Sequence, residues 1–177
     1  MIRKSKRVAI LHSAARIIQN KGIFNLTLDA VAEEAGVSKG GLLYHFPSKE
    51  ALVSGMVHHL IQQYVDRIED SASKDKHHKG KWTRAFMQET FYQVQTNKDM
   101  EASLLAAVAV NPSLLEPIQK AYHEWQEQIE NDGLDPVDAT ILRLALDGLW
   151  FSALFNLAPL DNDFKEQILN ALIEKTK

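Results

Sequence analysis

The stretch TLDAVAEEAGVSKGGLLYHF, Thr27 to Phe46, decides the fold, because its small and apolar residues fall where two short helices must cross. Ala32 is small at the crossing point, and Gly36 supplies the positive φ that a tight turn needs. The Val that follows fills the space between the helices, and Leu42 with Phe46 forms an inward i, i+4 stripe on the second helix. This pattern predicts a helix-turn-helix.

The other side of the second helix is the candidate recognition surface. With the stripe turned inward, Lys39, Gly40, Leu43 and Tyr44 must project outward. A face this small, with a cation, two glycines and a Tyr/His pair, suits insertion into the major groove of DNA. Counting the helix caps and a lysine in the next helix, the predicted DNA-binding residues are Thr27, Ser38, Lys39, Gly40, Gly41, Leu43, Tyr44, His45 and Lys49.

Several of these residues have a second explanation. Gly40 and Gly41 would let the backbone approach DNA, but they would also fit a frayed first turn of the helix. Thr27 is explained as an N-cap, and its hydroxyl with the neighbouring N–H groups could also meet a phosphate. Lys49 is equally well explained as a solvated lysine.

Helical periodicity dominates the rest of the chain, and no long run alternates with the period of a strand, so the predicted class is all-α. Gly22 is expected to close the first helix, and Pro47 to separate the third from the fourth. The predicted helices cover residues 4–21, 28–35, 39–46, 48–70, 82–96, 101–110, 114–130, 136–157 and 161–175.

Composition limits the class of protein. The chain has 177 residues, 45% hydrophobic and 24% charged, and no Cys, which excludes disulfides and thiolate metal sites. Residues 1–50 carry eight Lys and Arg against four Asp and Glu, whereas residues 51–177 carry twelve against nineteen. A basic first part could approach phosphates. The longest apolar run, Leu104 to Val110, is too short to span a membrane, and the basic start lacks the pattern of a signal peptide. We therefore expect a cytoplasmic protein without a membrane partner.

The segment over residues 136–157 is apolar nearly all round, so a helix here must be covered on two sides. One side can pack within its own domain, and the same helix of a second chain is the obvious cover for the other. The alternative is a central helix wrapped within a monomer, although few elements remain to wrap it. The predicted dimer interface, which includes the last helix, comprises Ile141, Gly148, Phe151, Phe155, Phe164, Ile168 and Leu172.

Catalytic and metal-binding patterns are weak in this sequence. The adjacent His pairs at 58–59 and 77–78 would point about 100° apart on a helix, which is poor geometry for sharing a metal. His123 and Glu127 have usable i, i+4 spacing but lack a third ligand. There is no HExxH, phosphate-binding loop or nucleophile elbow. We expect no enzyme activity, no catalytic residue, no metal site and no cofactor.

Residues from about Lys4 to Leu60, a third of the chain, resemble the DNA-binding domain of the tetracycline-repressor (TetR) family. The sequence departs from the family pattern at Leu43, where the family commonly has a Tyr that touches a phosphate, and we expect Tyr44 to take over part of that role. The matching residues are Ile10, Leu11, Ala14, Gly22, Thr27, Val31, Ala32, Ala35, Gly36, Val37, Ser38, Gly40, Leu42, Tyr44, His45, Phe46, Lys49 and Leu52.

The resemblance implies an N-terminal three-helix DNA-binding domain, residues 1–47 with the motif at 27–46, joined to a larger ligand-binding and dimerisation domain, residues 48–177. Residues 48–60 would begin the connecting helix. It also implies a homodimeric repressor that leaves a palindromic operator when a small hydrophobic or amphipathic effector binds. The alternative is a helical ligand-binding or interaction protein with a vestigial DNA-binding unit. Aromatic residues at helical spacing are more often plain core than a ligand pocket. The candidate pocket residues are Tyr64, Phe86, Phe91, Leu105, Tyr122, Trp125 and Trp150.

Overall fold

The computed structural model describes residues 2–96 and 98–177, with side chains described for 6–95 and 103–177. No strand occurs among these residues, and the predicted all-α class is confirmed. None of the described helices is both long and apolar enough to cross a membrane. The helices are α1 (Ile2–Lys21), α2 (Leu28–Glu34), α3 (Lys39–His45), α4 (Lys49–Lys74), α5 (Lys81–Thr96), α6 (Lys98–Val110), α7 (Glu116–Glu130), α8 (Pro136–Leu154) and α9 (Asn162–Glu174).

Every predicted helix is present, but several boundaries were wrong: α4 runs to Lys74 rather than residue 70, and α6 begins at Lys98 rather than residue 101. Two further boundaries were wrong for identifiable reasons. The helix predicted over 114–130 begins only at Glu116, after a 3₁₀ turn at Pro112–Leu115. Pro117 lacks an N–H and its ring clashes with a carbonyl one turn earlier, so a continuous α-helix cannot run through this segment. The helix predicted to reach residue 157 ends at Leu154, and Asn156 then adopts a left-handed φ of 52°.

The chain divides into two compact units. The first combines Met1–Gln62 with Lys98–Gln119. Its core is a single apolar cluster to which α1, α2, α3, the start of α4 and α6 all contribute. Helix α6 packs against α1, with Ala106 and Ala107 fully buried, so close approach is possible between the two backbones.

The second unit combines Gln63–Asn97 with Lys120–Lys177. Helix α5 packs against α8 and α9. A buried cluster lies between these helices, and it consists of Met87, Phe91, Leu142 and Leu146 with Leu149, Leu169, Leu172 and Ile173 packed against it. Helix α4 is continuous and contributes residues to both units. The domain boundary expected after Pro47 stays a prediction.

Arg84 joins three parts of the second unit. Its side chain is 8% exposed, and its Nε lies 2.7 Å from Asp75 Oδ2 in an ion pair. The guanidinium also donates to the carbonyl of His77 at 2.7 Å and to Oγ1 of Thr176 at 3.0 Å. The hydrogen bond from Arg84 holds the pKa of Asp75 below its usual range. One arginine therefore fixes the loop before α5 and the end of the chain.

Replacing Asp75 with Asn should lower the free energy of unfolding at pH 7 by about 1.5–3 kcal/mol. A carboxyl whose pKa is lowered by folding stabilises the protein above its unfolded pKa of about 4, and this contribution is lost as the pH falls through the folded pKa. Urea unfolding should show a much smaller loss at pH 3. Asp70→Asn, which removes an exposed ion pair with Lys74, should cost under about 1 kcal/mol. An equal loss for Asp75→Asn at both pH values would contradict this role.

Candidate nucleic-acid interface

The turn between α2 and α3 is closed by two backbone hydrogen bonds. The N–H of Val37 donates to the carbonyl of Ala32 at 3.0 Å, and the N–H of Gly36 donates to that of Glu33 at 3.1 Å. This is the Schellman pattern, which needs a left-handed residue just after the helix. Gly36 has a φ of 63°, as the sequence predicted. The turn therefore fixes the direction in which the chain enters α3.

A side-chain hydroxyl caps the N-terminus of each of α2, α3 and α4. Thr27 Oγ1 accepts from the N–H of Ala30 at 3.1 Å, and Ser38 Oγ accepts from the N–H of Gly41 at 3.1 Å. Ser48 Oγ likewise accepts from an N–H in the first turn of α4, at 3.0 Å. Both Thr27 and Ser38 are exposed, so the N-termini of α2 and α3 remain open to solvent. Exposed N-termini are suited to a phosphate.

The inward side of α3 is committed to the core. Leu42 is fully buried and Phe46 is 1% exposed. The Phe46 ring packs directly on Gly55 of α4, where a Cβ would lie 2.5 Å from Cε1 of the ring. Arg7 covers the ring from another side, with its Cζ 4.9 Å from the ring centroid. The sequence contained no signal for the role of Gly55, because the contact joins two helices.

The outward side of α3 carries the side chains that the sequence placed there. Tyr44 is 67% exposed and Leu43 is 36% exposed. A Cβ on Gly40 would meet nothing within 4 Å, whereas one on Gly41 would lie 3.2 Å from Ser38 Oγ. The absence of a side chain at Gly41 therefore leaves room for the cap. No contact within the chain requires a glycine at position 40. The His45 ring is half-buried and lies edge-on to Tyr44, with 5.2 Å between centroids.

Lys39 is exposed and forms an ion pair with Asp29, whose Oδ1 lies 2.9 Å from Nζ. Asp29 lies in the first turn of α2, so this pair links the two helices of the motif. Sequence reasoning identified Lys39 and missed its partner, since the two positions are ten residues apart. Lys49 is half-buried at the first position of α4.

Four of the predicted pocket residues come together in the second unit. Tyr64, Phe86, Tyr122 and Trp125 form a ring cluster with centroid distances from 4.8 to 6.3 Å. Tyr64 shares a hydrogen bond with Thr90, and burial raises the pKa of its phenol. Tyr122 donates to Oδ1 of Asp147 at 3.2 Å, so the cluster is connected to α8.

The other three predicted pocket residues lie elsewhere. Phe91 belongs to the buried cluster between α5 and α8. Leu105 lies on α6 in the first unit and is 42% exposed. Trp150 is half-buried near the end of α8.

Helices α8 and α9 carry an exposed apolar surface. Ile141, Phe151, Phe155 and Phe164 are 57%, 51%, 50% and 48% exposed, respectively. The rings of Phe151 and Phe155 are 4.8 Å apart, and a Cβ on Gly148 would meet nothing within 4 Å. Two other predicted interface residues are less open, since Ile168 is half-buried and Leu172 packs against the core of its own unit.

The part of the chain that the structure describes contains no group of three or more side chains able to hold a metal. The pair singled out in the sequence is an exposed contact, with 3.3 Å between His123 Nε2 and Glu127 Oε1.

Comparison with known proteins agrees with this geometry. The chain aligns over 129 residues with YvdT of Bacillus subtilis, an uncharacterized HTH-type transcriptional regulator, at 26% identity. The alignment covers 71% of this chain and 65% of YvdT, slightly under two thirds of that relative. RutR of Escherichia coli, also an HTH-type transcriptional regulator, is 42% identical over 61 residues, 34% of this chain and 29% of RutR.

Among solved structures, a protein from Saccharomonospora viridis in complex with choline has the same fold, with a TM-score of 0.77 at 23% identity over 97% of this chain and 96% of that one. The family model of bacterial regulatory proteins, tetR family, matches residues 10–56. The model of the tetracyclin repressor-like C-terminal domain matches residues 80–177, more than half of the chain. The chain therefore belongs to the tetR family of bacterial regulatory proteins.

Proposed function

We propose that this chain is a sequence-specific DNA-binding transcription regulator, a repressor that acts as a homodimer and leaves its operator when a small molecule binds. The observation that carries the proposal is the division of α3 into two faces. Leu42 and Phe46 hold the helix to the core, while Gly40, Leu43 and Tyr44 face solvent. A short exposed helix held in this way is the element that enters the major groove in helix-turn-helix proteins.

Dimerisation is required by the size of the reading surface. One helix of seven residues contacts only a few base pairs, which is too little to distinguish an operator from the rest of a genome. Two copies related by a two-fold axis would read a palindrome. The exposed apolar side chains of α8 and α9 are the surface that a second copy would cover, because aromatic side chains such as Phe151 and Phe155 gain from burial.

Release from the operator follows from the thermodynamic linkage between effector binding and DNA binding. The cluster of Tyr64, Phe86, Tyr122 and Trp125 is apolar and aromatic, which suits a hydrophobic or amphipathic compound. Asp147 connects the cluster to α8, since it accepts from Tyr122 and pairs with Arg143. A compound that prefers the DNA-incompetent form by roughly 1–3 kcal/mol would lower operator affinity about 5- to 150-fold.

Tyr44→Ala should weaken binding to an operator selected from random DNA by about 1–3 kcal/mol, because it removes a base or phosphate contact. The melting temperature should change little, since the side chain is exposed. Fluorescence anisotropy with labelled DNA measures the affinity. His123→Ala, which removes an exposed side chain of α7, is the control and should bind DNA like the parent. Unchanged affinity for Tyr44→Ala would mean that the assigned face is wrong.

Gly40→Ala separates the two explanations of this glycine. A methyl group has open space here and Ala favours the helix, so stability should stay equal or rise by up to about 1 kcal/mol. Operator affinity should fall at least about fivefold, because the added Cβ would keep the backbone from the DNA surface. Calorimetry and anisotropy on the same sample compare the two effects. If the variant is more stable and binds the operator as tightly as the parent, Gly40 has no role in contacting the DNA groove.

Phe155→Asp should shift the protein toward monomer and lower operator affinity, although the position lies outside the helix-turn-helix motif. The reason is that an aspartate would have to be buried unpaired at the apolar surface. Sedimentation velocity measures the assembly. Gln128→Asp, which adds the same charge on the exposed side of α7, should leave the assembly unchanged. A parent protein that sediments as a stable monomer would refute the dimer.

A further inference from the structure

A groove between α4 and α5 in the second unit has no role in the function proposed above. Its volume is about 360 Å³, within the range of roughly 300–1,000 Å³ of small-molecule sites. The lining residues are Arg67, Ser71, Ala85, Gln88, Glu89 and Tyr92.

Glu89 is the charged group that the protein buries at this groove. Its side chain is 7% exposed, and one carboxylate oxygen accepts a hydrogen bond from Nε2 of Gln93. Gln93 is itself 3% exposed, and its Oε1 is buried without a hydrogen-bond partner. The carboxylate of Glu89 lines the groove and therefore offers an acceptor there, whereas Gln93 holds that carboxylate from outside the lining. Such a site favours a ligand that donates hydrogen bonds.

Arg67 is the cation that faces this carboxylate. Its Nε lies 3.4 Å from Glu89 Oε1, and its Cζ lies 5.1 Å from the centroid of the Tyr92 ring. The same Nε donates to the carbonyl of Gln63 at 3.3 Å. A carboxylate and an aromatic face are together the two elements that recognise a flat, delocalised cation. The guanidinium of Arg67 therefore occupies the place that such a ligand would take.

Arg67 neutralises Glu89 incompletely. Burial raises the pKa of Glu89, and the hydrogen bond from Gln93 with the charge of Arg67 offsets only part of that effect. Arg67 is 36% exposed, so water screens much of its charge. An anionic ligand would bring a second negative charge toward the buried carboxylate, which disfavours it.

We propose that the groove between α4 and α5 binds a small planar organic cation of the amidinium or guanidinium class, with its charged end on Glu89 and its flat face on Tyr92, in place of Arg67. None of the four residues of the aromatic cluster lines this groove, and the proposal does not depend on DNA binding.

The test is isothermal titration calorimetry with three compounds of nearly equal shape. Benzamidine carries the cation, benzamide is its neutral analogue and benzoate is the anion. Benzamidine should bind with one site per chain, and benzamide and benzoate should each bind at least about tenfold more weakly. Benzoate binding as tightly as benzamidine would overturn the proposal, because Arg67 would then be an anion contact. Absence of benzamidine binding would also overturn it.

Variants locate the site on the full-length protein. Glu89→Gln keeps the shape and should weaken benzamidine binding at least about tenfold, while Tyr92→Leu should weaken it several-fold and Tyr92→Phe should not. Arg67→Ala should strengthen binding about three- to tenfold, because the internal competitor is gone. Thermal melts check that each variant folds. If Glu89→Gln does not fold, benzamidine binding by Arg67→Ala decides the test. Weaker or unchanged binding by Arg67→Ala, or full binding by a folded Glu89→Gln, would refute the site.

Discussion

The burial of Phe46 against Gly55 is the contact on which the candidate recognition surface depends. Helix α3 has seven residues, too few to persist in water without tertiary contacts. Its orientation is therefore set by the two apolar side chains that it buries, and the ring of Phe46 fits because α4 has no side chain at position 55. Once that face is fixed, helical geometry directs Lys39, Gly40, Leu43 and Tyr44 outward. The glycine turn and the serine cap then determine where the helix begins.

The parts of the fold that follow local rules could be predicted from the sequence. Thr27 and Ser38 form the expected caps, and Gly36 has the expected positive φ, because each of these roles depends only on neighbours within four residues. Contacts between distant positions could not be predicted in this way. The ion pair of Lys39 with Asp29 and the packing of α6 against α1 both depend on how helices meet. The 3₁₀ turn before α7 had a local signal in Pro117, which the apolar periodicity concealed.

The second unit shows the limit of periodicity most clearly. Helical spacing identifies residues that share a face, but it does not say what that face packs against. Tyr64 and Trp125 meet in one aromatic cluster, whereas Phe91 joins a different buried cluster and Leu105 lies in the first unit. The apolar character of α8 was readable from the sequence, and the structure adds that Ile141 and Phe155 are half-exposed in the single chain. Glu89 and Arg67 lie on separate helices, so the sequence did not indicate the groove between them.

The proposed function requires that two copies of α3, held on a two-fold axis, read DNA. The most direct test is to select DNA fragments with the purified protein from a random pool and to sequence the enriched fragments. We expect an inverted repeat whose half-sites face the same side of the duplex, with centres roughly 34–36 Å apart or a multiple of that distance. Enrichment of a single asymmetric half-site, or no enrichment over a variant with Tyr44 and Lys39 both replaced by Ala, would contradict it.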